Sequence, residues 1–500
     1  MEIRNRILVF KACFIAVLIG TGLCILIIAY VHEITPWELL LPHTMTATLF
    51  GISPFPLYKK LHVFNYSLQD AMEKDKKFFK IIGPYVFRIE KIKVMKWSGY
   101  LLEVREATRY HFEPKMSKGS LSDKILGLNY SALVDIRVLS VDDRTRKPTK
   151  TNISVFFETT VSAFFFKGFY AGENQTQMFV PTIGNKTSVF GSLEHPPNTY
   201  TMYVGRRPGY QYRILVFNQE KVLPFYSRQC NKLRGTNGEI FAPFVKPPKT
   251  VTILLPAFCQ PWKLHYKRKF MFHNIPVARY IARRDFFSYT GNKSYDNCLS
   301  RFGVETSKGA FDATQCFASR LSWDAKFVTK GYLPILTLPH FLHVDRTEPY
   351  TIKGIEKHPR ASKYGFYIDI HPPSGLTLDM RIRYQVNFLL TNSDYTDFAY
   401  DKLVLPLVWV EIGRLKKDTI GLANKLNGPI NARLMMAFAA GLFLCAAVMT
   451  ACMIIVLWRD KCYRIKGRQK KKEKPPPAKQ ENKNSDEKDN INNKKKKARK

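Results

Sequence analysis

The chain has 500 residues, with 78 Lys+Arg against 40 Asp+Glu, a formal net charge of +38, and 45% hydrophobic residues. That apolar content excludes wholesale disorder. Only two windows are long and charge-free enough to cross a bilayer, which excludes a multispanning transporter. The positive excess points to anionic partners: phospholipid surface, acidic ligand or nucleic acid.

Residues 1–11 carry Arg4, Arg6 and Lys11. Residues 12–31 (ACFIAVLIGTGLCILIIAYV) then run for twenty positions without a charge, enough for one membrane-crossing helix. The run exceeds a signal-peptide core and no small-x-small cleavage site follows, so it reads as an uncleaved anchor. Helical patterns follow over Ser67–Phe79, which ends before Gly83-Pro84, and over Asn129–Leu139 and Ser154–Tyr170. The basic loop Asp142–Lys150 (DDRTRKPTK) separates the last two.

Strand signals dominate the second half. Tyr212–Phe217 and Thr250–Leu255 are short candidates. Gly365–Leu390 reads as a β-hairpin turning at His371–Gly375. Leu376, Leu378, Met380, Ile382, Tyr384, Val386 and Phe388 alternate with Thr377, Asp379, Arg381, Arg383, Gln385 and Asn387, giving one apolar and one polar, basic face. Lys402–Val410 (KLVLPLVWV) is apolar on both faces and reads as a buried strand. Residues 434–458 form the second uncharged span. The tail, 459–500, holds 18 Lys+Arg, 6 Asp+Glu and three prolines at 475–477, a composition that predicts disorder. Taking off the tail's +12 and the +2 of residues 1–31 leaves about +24 on the segment between the spans.

Cations lie on the chain-terminal side of each span: Arg4, Arg6 and Lys11 before the first, Arg459, Lys461, Arg464, Lys466 and Arg468 after the second. The positive-inside rule puts both termini in the cytosol and residues 32–433 outside or in a lumen. Sugar-acceptor sequons agree: Asn65, Asn129, Asn152, Asn174, Asn185 and Asn292 all fall between the spans. They disfavour nucleic acid as the partner, because a secretory lumen does not meet nuclear DNA. Four cysteines lie between the spans, Cys230, Cys259, Cys298 and Cys316. In an oxidising compartment these suggest two disulfides, with three connectivities open.

Enzyme motifs are absent: no G-x-S-x-G elbow, H-E-x-x-H helix or P-loop occurs. A non-enzyme without cofactor is expected. His340 and His343 have H-x-x-H spacing but no third ligand nearby in sequence, so they read as structural rather than metal ligands. Cys462, just inside the membrane, is a candidate for palmitoylation. The tail suits anionic inner-leaflet lipids, with about 1 kcal/mol per basic residue near the surface.

Five segments, in order, carry a resemblance: SPFPLYKKLHVFNYS (Ser53–Ser67), IIGPYVFR (Ile81–Arg88), YHFEP (Tyr110–Pro114), CNKLRGTNGEIFAPF (Cys230–Phe244) and LPHFL (Leu338–Leu342). Between two terminal spans, they resemble the class B scavenger receptor family, the group of the fatty-acid translocase, the high-density-lipoprotein receptor and the lysosomal integral membrane protein type two.

The resemblance implies an α+β membrane protein. Its ectodomain is an antiparallel β-barrel-like body with a helical apex bundle, here about residues 129–200, an internal lipid tunnel, and two transmembrane helices. It implies Cys230 paired with Cys298 and Cys259 with Cys316. It makes Arg137, Arg144, Arg146, Lys147 and Lys150 the candidate entrance for anionic ligands, with Leu376, Leu378, Met380, Ile382 and Val386 as candidate tunnel lining. The aromatic run Phe164–Phe166, followed by Phe169 and Tyr170, becomes either a lipid portal or membrane-facing surface, or packing between apex helices. The expected function is binding of anionic lipids, fatty acids and lipoproteins and transfer of lipid to the membrane, at the plasma membrane, with a homo-oligomer compatible. The alternative is a cargo receptor escorting a hydrolase in the endosomal or lysosomal membrane. Two absences weigh against that alternative: no His lies between His111 and His195, and the tail lacks a dileucine.

Overall fold

The computed structural model describes residues 40–67, 79–128, 156–167, 182–287, 307–313, 335–391, 402–426 and 430–472, with short breaks, and residues 11, 15 and 19–23 near the start. The chain divides into two compact units, residues 30–433 and the combination of 1–29 with 434–500.

The larger unit is built on one antiparallel sheet. It begins with a seven-residue helix α1 (Met45–Gly51), capped by Thr44, whose Oγ1 accepts the Ala47 N–H at 3.1 Å. Strands β1 (Leu57–Tyr66), β2 (Phe79–Ser98) and β3 (Leu101–Phe112) form a meander. A small side sheet pairs β4 (Lys124–Leu128) with β5 (Phe156–Thr160), and a two-residue pair joins β6 (Thr182–Ile183) to β7 (Lys186–Thr187). The main sheet continues through β8 (Glu194–Tyr203) and β9 (Ile214–Phe217).

On the other side of β1 lie β17 (Lys402–Gly413), β16 (Thr377–Thr391), β15 (Tyr367–Ile370), β12 (Ile275–Ile281), β11 (Gln260–Phe272) and β10 (Thr250–Leu255). Short strands β13 (Ala310–Asp312) and β14 (Ile335–Thr337) branch from β16. The edge strands are β9 and β10. One peptide stretch reaches both: Gly235 O accepts from Ile214 N–H at 3.0 Å, while Thr236 N–H donates to Thr252 O at 3.1 Å and Thr236 O accepts from Leu254 N–H at 2.7 Å. The sheet is thus nearly closed into a barrel, which removes exposed edges. Gly235 has φ +83°, and a Cβ there would run into the Thr252 carbonyl, so the seam requires glycine.

The hairpin expected over Gly365–Leu390 is β15 and β16, paired Ile368↔Met380 and Asp369↔Asp379. Thr250–Leu255 is β10, and 403–410 is buried throughout, as the both-face apolar reading of β17 requires. Two expectations change. The pattern over Ser154–Tyr170 is not one helix: residues 156–160 are strand β5, followed by a helical turn that includes the π-helical Ala163–Lys167. Aromatic and β-branched residues at 156–161 (FFETTV) favour a strand once Lys124–Leu128 offers a partner. The second change concerns the odd-numbered face of β16, where Thr377, Arg383, Gln385 and Asn387 are buried rather than solvated. Gly238 and Glu239 bond Thr377, and residues 335–340 cover Gln385 and Asn387. Asn387 Nδ2 donates to Ile335 O at 2.8 Å, Gln385 Nε2 to Asn387 Oδ1 at 2.7 Å, and His340 N–H to Gln385 Oε1 at 2.9 Å. Phe79 opens β2, and the rest of the Ser67–Phe79 pattern, like Asn129–Leu139, lies almost wholly outside the described residues.

After β17 the helix α3 (Lys416–Leu426) buries Thr419, Leu422, Ala423 and Leu426, one stripe at helical spacing; a short helix α2 (Ala361–Tyr364) precedes β15. In the second unit, α4 (Ile430–Lys472) contains the apolar stretch Ala440–Lys466, long enough to cross a membrane, with a mean hydropathy of 2.6 over its most apolar window. Phe443, Leu444, Ile454 and Ile455 are exposed along it, as a lipid-facing helix requires. Residues 19–23 are helical, and most of the expected first span lies outside the described residues.

Candidate functional site

Residues directly opposite in an antiparallel ladder share a face. Following the register across the sheet gives one continuous row: Ile382, Ile412, Lys59, Phe87, Phe112. The next row is Tyr384, Val410, Leu61, Tyr85. Toward the other edge runs Met380, Ile368, Tyr280, Tyr266. The five residues singled out as tunnel lining, Leu376, Leu378, Met380, Ile382 and Val386, are all buried, and the register carries Met380 and Ile382 into these apolar rows.

Lys59 is the exception in the wall. It is 5% exposed, and among the described residues no carboxylate pairs with it. Its Nζ sits 3.6 Å from the Phe190 ring centre and 5.0 Å from that of Tyr110. Burial pushes the ammonium down to about 7. Its neighbour Lys60 points to the opposite face and pairs with Glu411 at 2.9 Å. Arg383 joins the same carboxylate at 2.7 Å. Burial would raise Glu411, but the two cations win and hold it at about 2.

A second charged group lies beside Phe50 and Leu422. Lys91 Nζ lies 2.5 Å from Glu239 and 3.0 Å from Glu106. Lys93 also pairs with Glu239 and donates to Phe50 O at 2.9 Å. Burial would raise Glu239, but Lys91 and Lys93 hold it down at about 2. Arg414 completes the cluster, with no acid of its own among the described residues. Its Nη1 donates to Thr377 O and Leu378 O, both at 3.0 Å, and burial lowers its affinity for the proton. Three cations thus face two carboxylates. Lys91, Lys93, Glu239 and Arg414 line a cavity of about 60 Å³ with Phe50, Leu376 and Leu422, room for a few waters and not for an acyl chain.

The remaining expected sites divide plainly. Arg137, Arg144, Arg146, Lys147 and Lys150 lie outside the described residues. Cys230 is disulfide-bonded. Cys259, Cys298 and Cys316 lie outside the described residues, so the pairing stays an expectation. Asn65 is half-buried in β1, its Oδ1 accepting the Leu126 N–H at 2.8 Å. Asn129, Asn152, Asn174, Asn185 and Asn292 lie outside the described residues. Phe164, Phe165 and Phe166 are buried among Phe87 and Phe190, so the portal reading gives way to packing. His340 Nδ1 accepts the Glu356 N–H at 3.3 Å, and its ring tilts over Tyr364 at 4.4 Å. Cys462 is exposed and free on α4. Lys59, the Lys91–Glu239 group and Arg414 were not singled out from sequence, where they look like ordinary surface charges.

The CD36 family pattern matches residues 9–458. The chain is 22% identical to scavenger receptor class B member 1 of Sus scrofa over 76% of this chain and 75% of that protein. It is 23% identical to its counterpart in Bos taurus, with the same coverage. Sensory neuron membrane protein 1 of Antheraea polyphemus is 23% identical over 73% of this chain and 74% of its own. With a barrel-like antiparallel sheet, an apolar helix near the C-terminus and a match over nearly its whole length, the chain belongs to the CD36 family.

Proposed function

We propose that this class B scavenger receptor-like membrane protein binds anionic lipids, among them fatty acids, and moves them to the bilayer through the interior of its sheet. It does so without enzymatic chemistry. The observation that carries the reading is the inward face of β16 and β17. Apolar rows continue across β1, β2, β12 and β15 and hold Lys59, which has no carboxylate partner among the described residues. An acyl chain loses about 0.8 kcal/mol per methylene on leaving an apolar environment, so an apolar interior lowers the barrier between water and membrane. The small cavity at the Lys91–Glu239 cluster must widen for an acyl chain to pass. Both termini are cytosolic in this reading, the sheet faces outward at the plasma membrane, and the basic tail lies on anionic inner-leaflet lipid.

Cells expressing Leu378→Trp or Val386→Trp test it with fluorescent fatty acid. Uptake should fall severalfold while ligand binding at the surface is retained. Unchanged uptake in a correctly folded variant would remove the interior route.

A further inference from the structure

The outer wall carries a feature that the interior does not explain. Arg268 on β11 stands directly opposite Arg279 on β12, and the row continues to Asp369 and Asp379. Like charges facing each other across a ladder destabilise it. Arg279 is relieved by Asp369, which accepts from its Nε and Nη2 at 2.7 Å each. Among the described residues Arg268 has no acid partner; its guanidinium lies 5.3 Å from the Phe270 ring centre. Lys267 beside it, and Arg283 and Arg284 just beyond β12, are exposed. Together with His343 these side chains rim a groove of about 830 Å³ that opens to solvent beside α2. Asp285 is the one acid on its lining, and Asp369 is already engaged. Half-buried Ile281 and Tyr367 add apolar surface to its lining. The sheet therefore accepts electrostatic repulsion in order to gather five cations at one concavity.

We propose that this groove binds a linear sulfated polyanion, a sulfated glycan chain. Guanidinium forks match sulfate oxygens two at a time. The apolar surface of Ile281 and Tyr367 suits the C–H faces of sugar rings. A chain of regularly spaced sulfates can neutralise several cations at once, which a single headgroup cannot. A flat bilayer surface cannot enter a concavity, whereas a flexible chain can.

The test uses the full-length protein in nanodiscs and a heparin oligosaccharide, with affinity measured against salt. Lys267→Gln combined with Arg283→Gln should weaken binding at least tenfold near 0.15 M salt. The slope of log affinity against log salt should fall by about two, one for each cation removed, with the melting temperature unchanged. Desulfated heparin should not bind. The proposal is overturned if the double variant binds heparin as the wild type does. It is also overturned if Lys494→Gln with Lys496→Gln in the tail abolishes heparin binding instead. Loss of phosphatidylserine-vesicle binding in the groove variant, with heparin binding retained, would assign the groove to lipid and overturn the glycan. None of these outcomes depends on whether the interior carries lipid.

Discussion

Replacing Lys59 with Met should stabilise this protein, although it removes a buried cation. Lowering the ammonium from its ordinary 10.5 to about 7 corresponds to about 5 kcal/mol against the charged form. The rings of Phe190 and Tyr110 return about 2 kcal/mol through cation–π attraction. A net penalty of about 3 kcal/mol remains, and Met fills nearly the same volume without it. The folded-state pKa lies below the unfolded one, so the penalty is complete below pH 7 and fades as pH rises towards 10.5. For the unit spanning residues 30–433, about 3 kcal/mol corresponds to a melting shift of about 3 °C. Thermal unfolding of purified wild type and Lys59→Met at pH 6.5 and 9.5 reads this directly. The variant should melt higher at pH 6.5, and the gap should shrink by more than half at pH 9.5. A variant that melts lower, or a gap that ignores pH, would show that Lys59 has an anionic partner in the folded protein.

Acid should loosen the molecule for the opposite reason. Glu239 and Glu411 are both held at about 2, below their ordinary 4.5, so each contributes stability above pH 4.5 that is lost as pH falls towards 2. Glu411→Gln should flatten the melting profile over that range by about 3 kcal/mol, and an unchanged profile would contradict its pairing with Lys60 and Arg383. Gly375→Ala should cost at least about 2 kcal/mol and reduce surface expression. The residue has φ +70°, and a Cβ would collide with the Phe241 carbonyl. Normal surface levels would argue against that turn. Cys462→Ser should abolish labelling by a palmitate probe, and persistent labelling would place acylation at another cysteine.

Much of this architecture is visible in the sequence because burial writes a period of two. The alternation from Leu376 to Phe388 gave β16 its inward face, and Lys402–Val410 announced a strand covered on both sides. The same rule misled on the odd-numbered face. Arg383, Gln385 and Asn387 have a solvated composition, but Glu411 and the Gly365 carbonyl hold Arg383, and the distant residues 335–340 cover Gln385 and Asn387. The charged site was not legible for a related reason. Lys91 and Glu239 are 148 residues apart, and they meet only because the stretch that seals the barrel edges carries Glu239 to β2. Lys59 and Lys60 are identical neighbours in sequence, and strand geometry sends one to apolar rings and the other to Glu411. The cations of the outer groove show as Lys267-Arg268-Lys269 and Arg283-Arg284, but their convergence depends on the β11–β12 register.

The claim on which the functional account rests is that lipid occupies the inside of the sheet. A photoreactive fatty acid, crosslinked to the full-length protein and mapped by peptide mass spectrometry, tests it most directly. The account predicts labels on inward residues of β16, β17 and β2, such as Ile382, Val410 and Phe87. Labels restricted to exposed outer residues, such as Val94 and Leu101, would contradict it.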